Sequence, residues 1–279
     1  MPPTKFLIAP LAALVAAPPA ESQAPPAADP LSYADLADLG LAAPVAAHVA
    51  VRSASRLKAG QAAGLDPGKT RFYVDADTLS LIRGAQGLPA RVTYLVDLPN
   101  DAKGKPAKLR KKSEHILLAS PVAGRPGELR LVAPDAQIAF TPGRAATLRA
   151  ILQEATRADA PPRISGIGRA FHVPGSLPGE SETQIFLQTA DGRPVSLSVL
   201  RRAGETPRWA VALSEIVDDS AEPPKADTLL WYRLACTLPA ALPAISFAEA
   251  EPGQRGAIEA DYRLVKSRLG PCARSRAKR

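Results

Sequence analysis

Residues 90–98, ARVTYLVDL, alternate apolar and polar side chains with a period of two. Val92, Tyr94 and Val96 fall on one face, and polar residues such as Asp97 fall on the other. This alternation is typical of a strand with one buried and one solvated face. Antiparallel sheets are built from such strands, so the stretch predicts antiparallel β structure packed around one core.

The same pattern continues on both sides of this stretch. Further strands are expected at 45–52, 70–78, 115–119, 128–132 and 137–140. Five or six short strands in about 100 residues suit a small barrel. Their order resembles that of oligonucleotide/oligosaccharide-binding (OB) barrels, a likeness of pattern that implies no function by itself.

Helices should flank this barrel. Ser32, with Asp35 three residues later, predicts the start of a helix over 33–39 that Gly40 ends. Thr141-Pro142 predicts a second helix over 142–157, because a hydroxyl can cap it and proline suits its first position.

The second half predicts three strands whose apolar faces need a cover. The strands are expected at 182–189, 194–202 and 207–216, and the covering helices at 228–239 and 254–269. A central strand is the alternative for 228–239. The predicted fold class is therefore α+β: an OB-like small β-barrel followed by a three-stranded antiparallel meander covered by two helices. The polar face of the meander, which includes Arg202, could carry a partner or pack on the barrel.

The N-terminus reads as an export signal. Lys5 precedes an apolar run over 6–17, which is shorter than the ~20 residues that span a bilayer but suits a signal peptide. A cytoplasmic protein with an apolar N-terminus is the alternative. We expect a signal peptide at 1–24, a disordered leader at 25–31, an OB-like barrel with flanking helices at 32–157, a meander with helices at 158–272 and a basic tail at 273–279.

The chain has two cysteines, Cys236 and Cys272. An even number in an exported protein predicts a disulfide, with two buried free thiols as the alternative. Export places the protein in the periplasm or outside the cell. No later apolar run is long enough to predict a membrane-spanning helix in the mature chain.

Five stretches together resemble an uncharacterised family of exported bacterial proteins with no assigned activity. They are GESETQIFL (179–187), PVSLSVLRR (194–202), WAVALSEIVD (209–218), WYRLAC (231–236) and LGPC (269–272). The resemblance implies export and a single two-part architecture, and it implies no catalytic residues.

The net charge of +8 is concentrated in two extensions. One is the basic tail, and the other is the segment 103–112, KGKPAKLRKK, which we call the basic loop. Its cationic residues are Lys103, Lys105, Lys108, Arg110, Lys111 and Lys112. Without the two extensions the remaining chain is slightly acidic, so they determine which partners electrostatics favours.

A basic loop can bind a phosphate-bearing or acidic partner. Candidates in the envelope are an anionic polymer, lipid head groups or a protein, and a merely solvated loop is the alternative. The basic loop contains no aromatic residue on which bases could stack, which argues against single-stranded nucleic acid.

Catalytic signals are weaker. His172, Ser176 and Glu180 occur together ahead of a strand. Glu182 opens that strand and Glu215 closes another, so these two carboxylates could approach each other on the sheet. Serine catalysis needs a base and an orienting acid, but the sequence has no nucleophile motif here, and turn serines are the simpler interpretation. The three histidines are far apart and no phosphate-binding motif occurs, so we expect no metal and no cofactor.

These observations predict an exported cell-envelope binding or interaction protein without catalytic activity, which engages an anionic partner through the basic loop. The alternative is a cell-envelope hydrolase with a site in the 172–184 loop.

Overall fold

The computed structural model describes residues 31–214 and 221–276. The signal peptide, almost all of the leader, Glu215 and the last three residues of the tail lie outside these ranges, so the predictions for them stay predictions.

Five strands close into a barrel in the order β1-β2-β3-β5-β4-β1. They are β1 (Val45–Arg56), β2 (Lys69–Arg83), β3 (Arg91–Pro99), β4 (Glu114–Pro121) and β5 (Glu128–Leu131). Only β3 and β5 pair in parallel; the other pairs are antiparallel. A short strand, β6 (Gln137–Ala139), adds to β4. The barrel confirms the OB-like prediction.

The alternation in 90–98 positions the barrel core as expected. Val92, Tyr94 and Val96 are almost fully buried, together with Val49 and Val74 from the neighbouring strands. β1 reaches both β2 and β4 because bulges interrupt its register with β2 and bend it.

Two helices cover the barrel's outer side. α1 (Tyr33–Ala42) begins at the predicted capping box of Ser32 and Asp35, and α2 (Pro142–Thr156) begins at the predicted cap Thr141. Leu36 and Leu39 from α1 pack with Leu148 and Ile151 from α2 and with residues of β4. α1 runs two residues past Gly40, where its end was expected.

The second sheet has four strands where three were expected. Its order is β10-β9-β8-β7, built from β7 (Ile164–Pro174), β8 (Ser181–Thr189), β9 (Val195–Arg201) and β10 (Arg208–Ala212). The additional strand is β7, in which Gly166 and Gly168 interrupt the alternation. Both glycines lie close to β8: a Cβ on Gly166 would lie 2.7 Å from Oε1 at the end of the flexible Gln188 side chain, and one on Gly168 would lie 3.3 Å from the backbone oxygen of Phe186.

The expected helices cover this sheet. α3 (Leu229–Ala235) is shorter than expected, and α4 (Arg255–Leu269) buries Ile258, Tyr262 and Val265 as its spacing predicted. A disulfide joins Cys236 at the end of α3 to Cys272 beyond α4, with their Cα atoms 5.0 Å apart.

The described residues from Leu31 onward form one compact unit. Tyr33 and Tyr232 pack against both the α1–α2 cluster and the meander core, and the Tyr232 hydroxyl donates to Asp38 Oδ1 at 2.6 Å. The division near residue 158 therefore stays a prediction. Across the described ranges, no helix combines the length and the hydropathy needed to cross a bilayer.

Candidate functional site

The basic loop connects β3 to β4 and is held at both ends by hydrogen bonds. Asp101 Oδ1 accepts from the backbone N–H groups of Lys103 and Lys105, at 2.9 and 2.8 Å. At the other end Lys112 N–H donates to Val51 O at 2.6 Å, which continues the pairing of β1 with β4. The backbone of the loop is therefore tied to the barrel rather than trailing from it.

An apolar contact holds the middle of the loop. Leu109 is partly buried against the barrel core, whereas its neighbours Lys108 and Arg110 are exposed. A leucine in this position fixes the loop through burial and turns the flanking cations toward solvent.

The charges of the loop are unpaired. All six of its lysine and arginine side chains are exposed, and none forms an ion pair with any residue of the described ranges. Asp101 and Glu114 are the carboxylates nearest the loop in sequence. Asp101 accepts from backbone N–H groups of the loop, and Glu114 binds His48. The basic loop therefore presents its six predicted binding cations to solvent, each without an ion pair to a described residue.

The basic tail differs from the basic loop, because its first arginines form ion pairs with carboxylates of the described chain. Arg274 binds Asp38 through Nε at 2.6 Å, and Arg276 binds Asp135 through two hydrogen bonds of 2.7 Å. These ion pairs hold residues 274–276 of the predicted basic tail against the rest of the described chain.

Asp35 anchors the same segment. Its carboxylate accepts hydrogen bonds from the Ser275 backbone and hydroxyl as well as from Ser32. Burial acts to raise the pKa of Asp35, but these hydrogen bonds outweigh burial and lower the pKa to about 2. Arg274 and Arg276 of the tail are thus not equivalent to the cations of the loop.

The candidate catalytic residues lie on a hairpin. His172 is in β7, not in a loop, and its Nδ1 lies 2.8 Å from Thr183 Oγ1. Thr183 donates to Asp261 Oδ2 at 2.5 Å, and Arg201 binds the other oxygen of Asp261 at 2.8 and 2.5 Å. Because the threonine hydroxyl has only one proton, His172 Nδ1 carries a hydrogen and donates it.

The other two catalytic candidates, Ser176 and Glu180, lie in the turn between β7 and β8. Glu180 accepts from Leu177 N–H through its side chain and from Gly175 N–H through its carbonyl, and Ser176 is exposed. Gly175 is required here, since a Cβ would lie 2.4 Å from that of Glu180.

A shallow cleft of about 510 Å³ brings His172, Glu180 and Ser181 together, but Ser176 does not line it. Among the described residues, neither serine hydrogen-bonds to His172. The contact between nucleophile and base that serine catalysis requires is therefore not formed, and the hydrolase alternative stays a prediction.

Sequence reasoning did not find a second cleft, of about 450 Å³, on the outside of the barrel. Tyr73 and Leu95, opposite each other on β2 and β3, are 46% and 45% exposed there. Arg71 is paired with Asp97 at its border, at 2.6 Å. The alternation of β2 and β3 predicts that the Tyr73 and Leu95 side chains point outward. It does not predict that β5 borders them, because that depends on the parallel pairing of β3 with β5.

The described histidines and acids were predicted not to form a metal site. Within the described ranges no group of three or more potential ligands could hold a metal ion. His48 instead binds Glu114 at 2.8 Å and stacks on Phe140 at 3.6 Å.

No protein-family model matches the chain, and no curated protein matches it. The resemblance to exported bacterial proteins stays a prediction, and function is argued from geometry and charge.

Proposed function

We propose that the protein is an exported, non-catalytic envelope protein that binds an anionic component of the cell envelope through the basic loop. The observation that carries this proposal is the set of six exposed cations without an ion-pair partner in the described ranges. Isolated cations scattered on a surface would not support it, but these six occur within ten residues of one loop.

The anchoring of the loop favours binding energetically. A flexible loop loses conformational entropy when a partner orders it, and that loss weakens the complex. Asp101, Leu109 and Lys112 already restrict the backbone of this loop. Each lysine or arginine near an anionic lipid surface contributes about 1 kcal/mol, so six cations are sufficient for measurable binding.

The disulfide supports the proposed location. Disulfides persist in oxidising compartments such as the periplasm and the extracellular space, and are rare in the cytosol. The bridge between Cys236 and Cys272 is compatible with export. The partner classes that fit are lipid head groups and anionic polymers, because both present closely spaced negative charges to the loop.

Binding of the wild-type protein should depend on salt. In co-sedimentation with vesicles containing about 30 mol% phosphatidylglycerol, we expect the affinity to fall at least about tenfold between roughly 0.05 M and 0.5 M NaCl, because salt screens exposed charges. An acidic polysaccharide on beads tests the polymer class in parallel. The proposal would be contradicted if the protein bound pure phosphatidylcholine vesicles as tightly as the anionic vesicles. It would also be contradicted if salt did not change the affinity for either anionic probe.

A further inference from the structure

A separate cleft of about 730 Å³ lies on the outer face of the meander. Its floor contains Ser198 and Ala210, which are directly opposite each other on β9 and β10. Their short side chains leave the space above the sheet open. The segment around Glu222 forms a wall beside β10, where Val211 N–H donates to Glu222 O at 3.4 Å.

Three arginines from different elements line this cleft. Arg202 follows β9, Arg208 begins β10 and Arg268 is in the last turn of α4. None of the three forms an ion pair with another described residue. Arg268 is positioned by a hydrogen bond of 2.6 Å from its Nη1 to Pro207 O, and the guanidinium groups of the other two have no recorded hydrogen bond to another described residue.

The cleft also has acceptors. Glu182 and Glu222 line it without pairing with the arginines, and Glu182 Oε1 accepts from Gln184 Nε2 at 2.9 Å. Such a mixture of guanidinium groups, carboxylates and the Ser198 hydroxyl is suited to a ligand that has an anionic group and several hydroxyls. Arginine recognises phosphate and carboxylate through two parallel hydrogen bonds.

We propose that this cleft binds a small hydroxylated anion, a sugar phosphate or a sugar acid, whose anionic group is held by Arg202 and Arg208. The cleft volume is within the range of small-molecule sites. This site is on the meander, whereas the basic loop belongs to the barrel, so the inference goes beyond the proposed function and does not depend on it.

Isothermal titration calorimetry on the mature chain tests this site with glucose 6-phosphate, glucuronate and neutral glucose. We expect saturable binding of at least one of the two acids and none of glucose. The acid that binds identifies phosphate or carboxylate as the recognised group. Arg202→Gln and Arg208→Gln should each weaken that binding about tenfold, because each removes a charge-assisted hydrogen-bond donor.

The matched control is Arg263→Gln, which removes an exposed arginine of α4 that has no ion pair with a described residue. It should leave binding unchanged, as should Lys108→Glu in the basic loop. The proposal is overturned if neither acid binds saturably, if glucose binds equally well, or if either control weakens binding as much as Arg208→Gln. Thermal unfolding of each variant verifies that it is folded.

Discussion

Replacing Asp261 by alanine should lower the free energy of unfolding by about 3–4 kcal/mol. Its carboxylate is only 1% exposed and is the shared acceptor for Arg201 and Thr183. Removing it leaves a partly buried guanidinium and a buried hydroxyl without their partner. The expected loss is at the lower end for a broken buried pair, because the Arg201 side chain is 34% exposed and water can solvate it.

Urea unfolding of wild type and variant measures this loss. The control is Asp191→Ala, since Asp191 pairs with Arg193 at a site where both side chains are more than 40% exposed. Pairs of that kind contribute about 0–1 kcal/mol. If Asp261→Ala lowers the free energy of unfolding no more than the control does, the hydrogen bonds of Asp261 to Thr183 and Arg201 do not hold α4 on the sheet.

Replacing both Cys236 and Cys272 by serine should cost about 3–4 kcal/mol on the chain-entropy view of a closed loop of this length. The bridge joins the ends of α3 and α4, which together cover the meander core. The double variant should still fold, because Trp231 Nε1 also donates to Leu269 O at 2.8 Å and both helices bury apolar faces.

Unfolding with and without a reducing agent measures the contribution of the disulfide. Reductant should destabilise the wild type by about the same amount as the substitutions, and it should leave the double-serine variant unchanged. A wild type whose urea midpoint is insensitive to complete reduction would show that the bridge does not stabilise the fold.

The sequence was sufficient to predict the buried side chains of an element wherever one face of that element is buried along its whole length. The alternation in β3 and the apolar stripe of α4 predicted which side chains enter the core, and both predictions are confirmed. β7 was missed because Gly166 and Gly168 remove side chains from the pattern, and because bulges shift its register with β8. The close approach of β8 to both glycines comes from strand pairing, which periodicity cannot reveal.

The partners of buried hydrogen bonds and ion pairs were less predictable, because the two side chains of each pair are distant in sequence. Asp261 finds Thr183 and Arg201, 78 and 60 residues away, and Arg274 finds Asp38 at a separation of 236. No local pattern encodes such pairs. The basic loop was predictable as a charge cluster, but the ion pairs of Arg274 and Arg276, and the lack of an ion pair between the loop cations and any described residue, follow only from the fold.

Reversing three charges of the basic loop tests the central claim most directly. Lys108→Glu, Arg110→Glu and Lys111→Glu together keep Leu109 and the anchoring backbone groups. The matched control reverses three exposed cations outside the loop that have no ion pair with a described residue: Arg149, Lys225 and Arg263. Both variants have the same net charge, so position is the only electrostatic difference.

The measurement is the affinity of each variant for vesicles with about 30 mol% phosphatidylglycerol, and for the acidic polysaccharide, near 0.15 M salt. Each neutralised cation removes about 1 kcal/mol at an anionic surface, so the loop variant should bind at least about 100-fold more weakly than wild type. The control should lose less than about tenfold through its net charge alone. Equal losses in the two variants, or an unchanged affinity of the loop variant for both probes, would contradict a binding role for the basic loop.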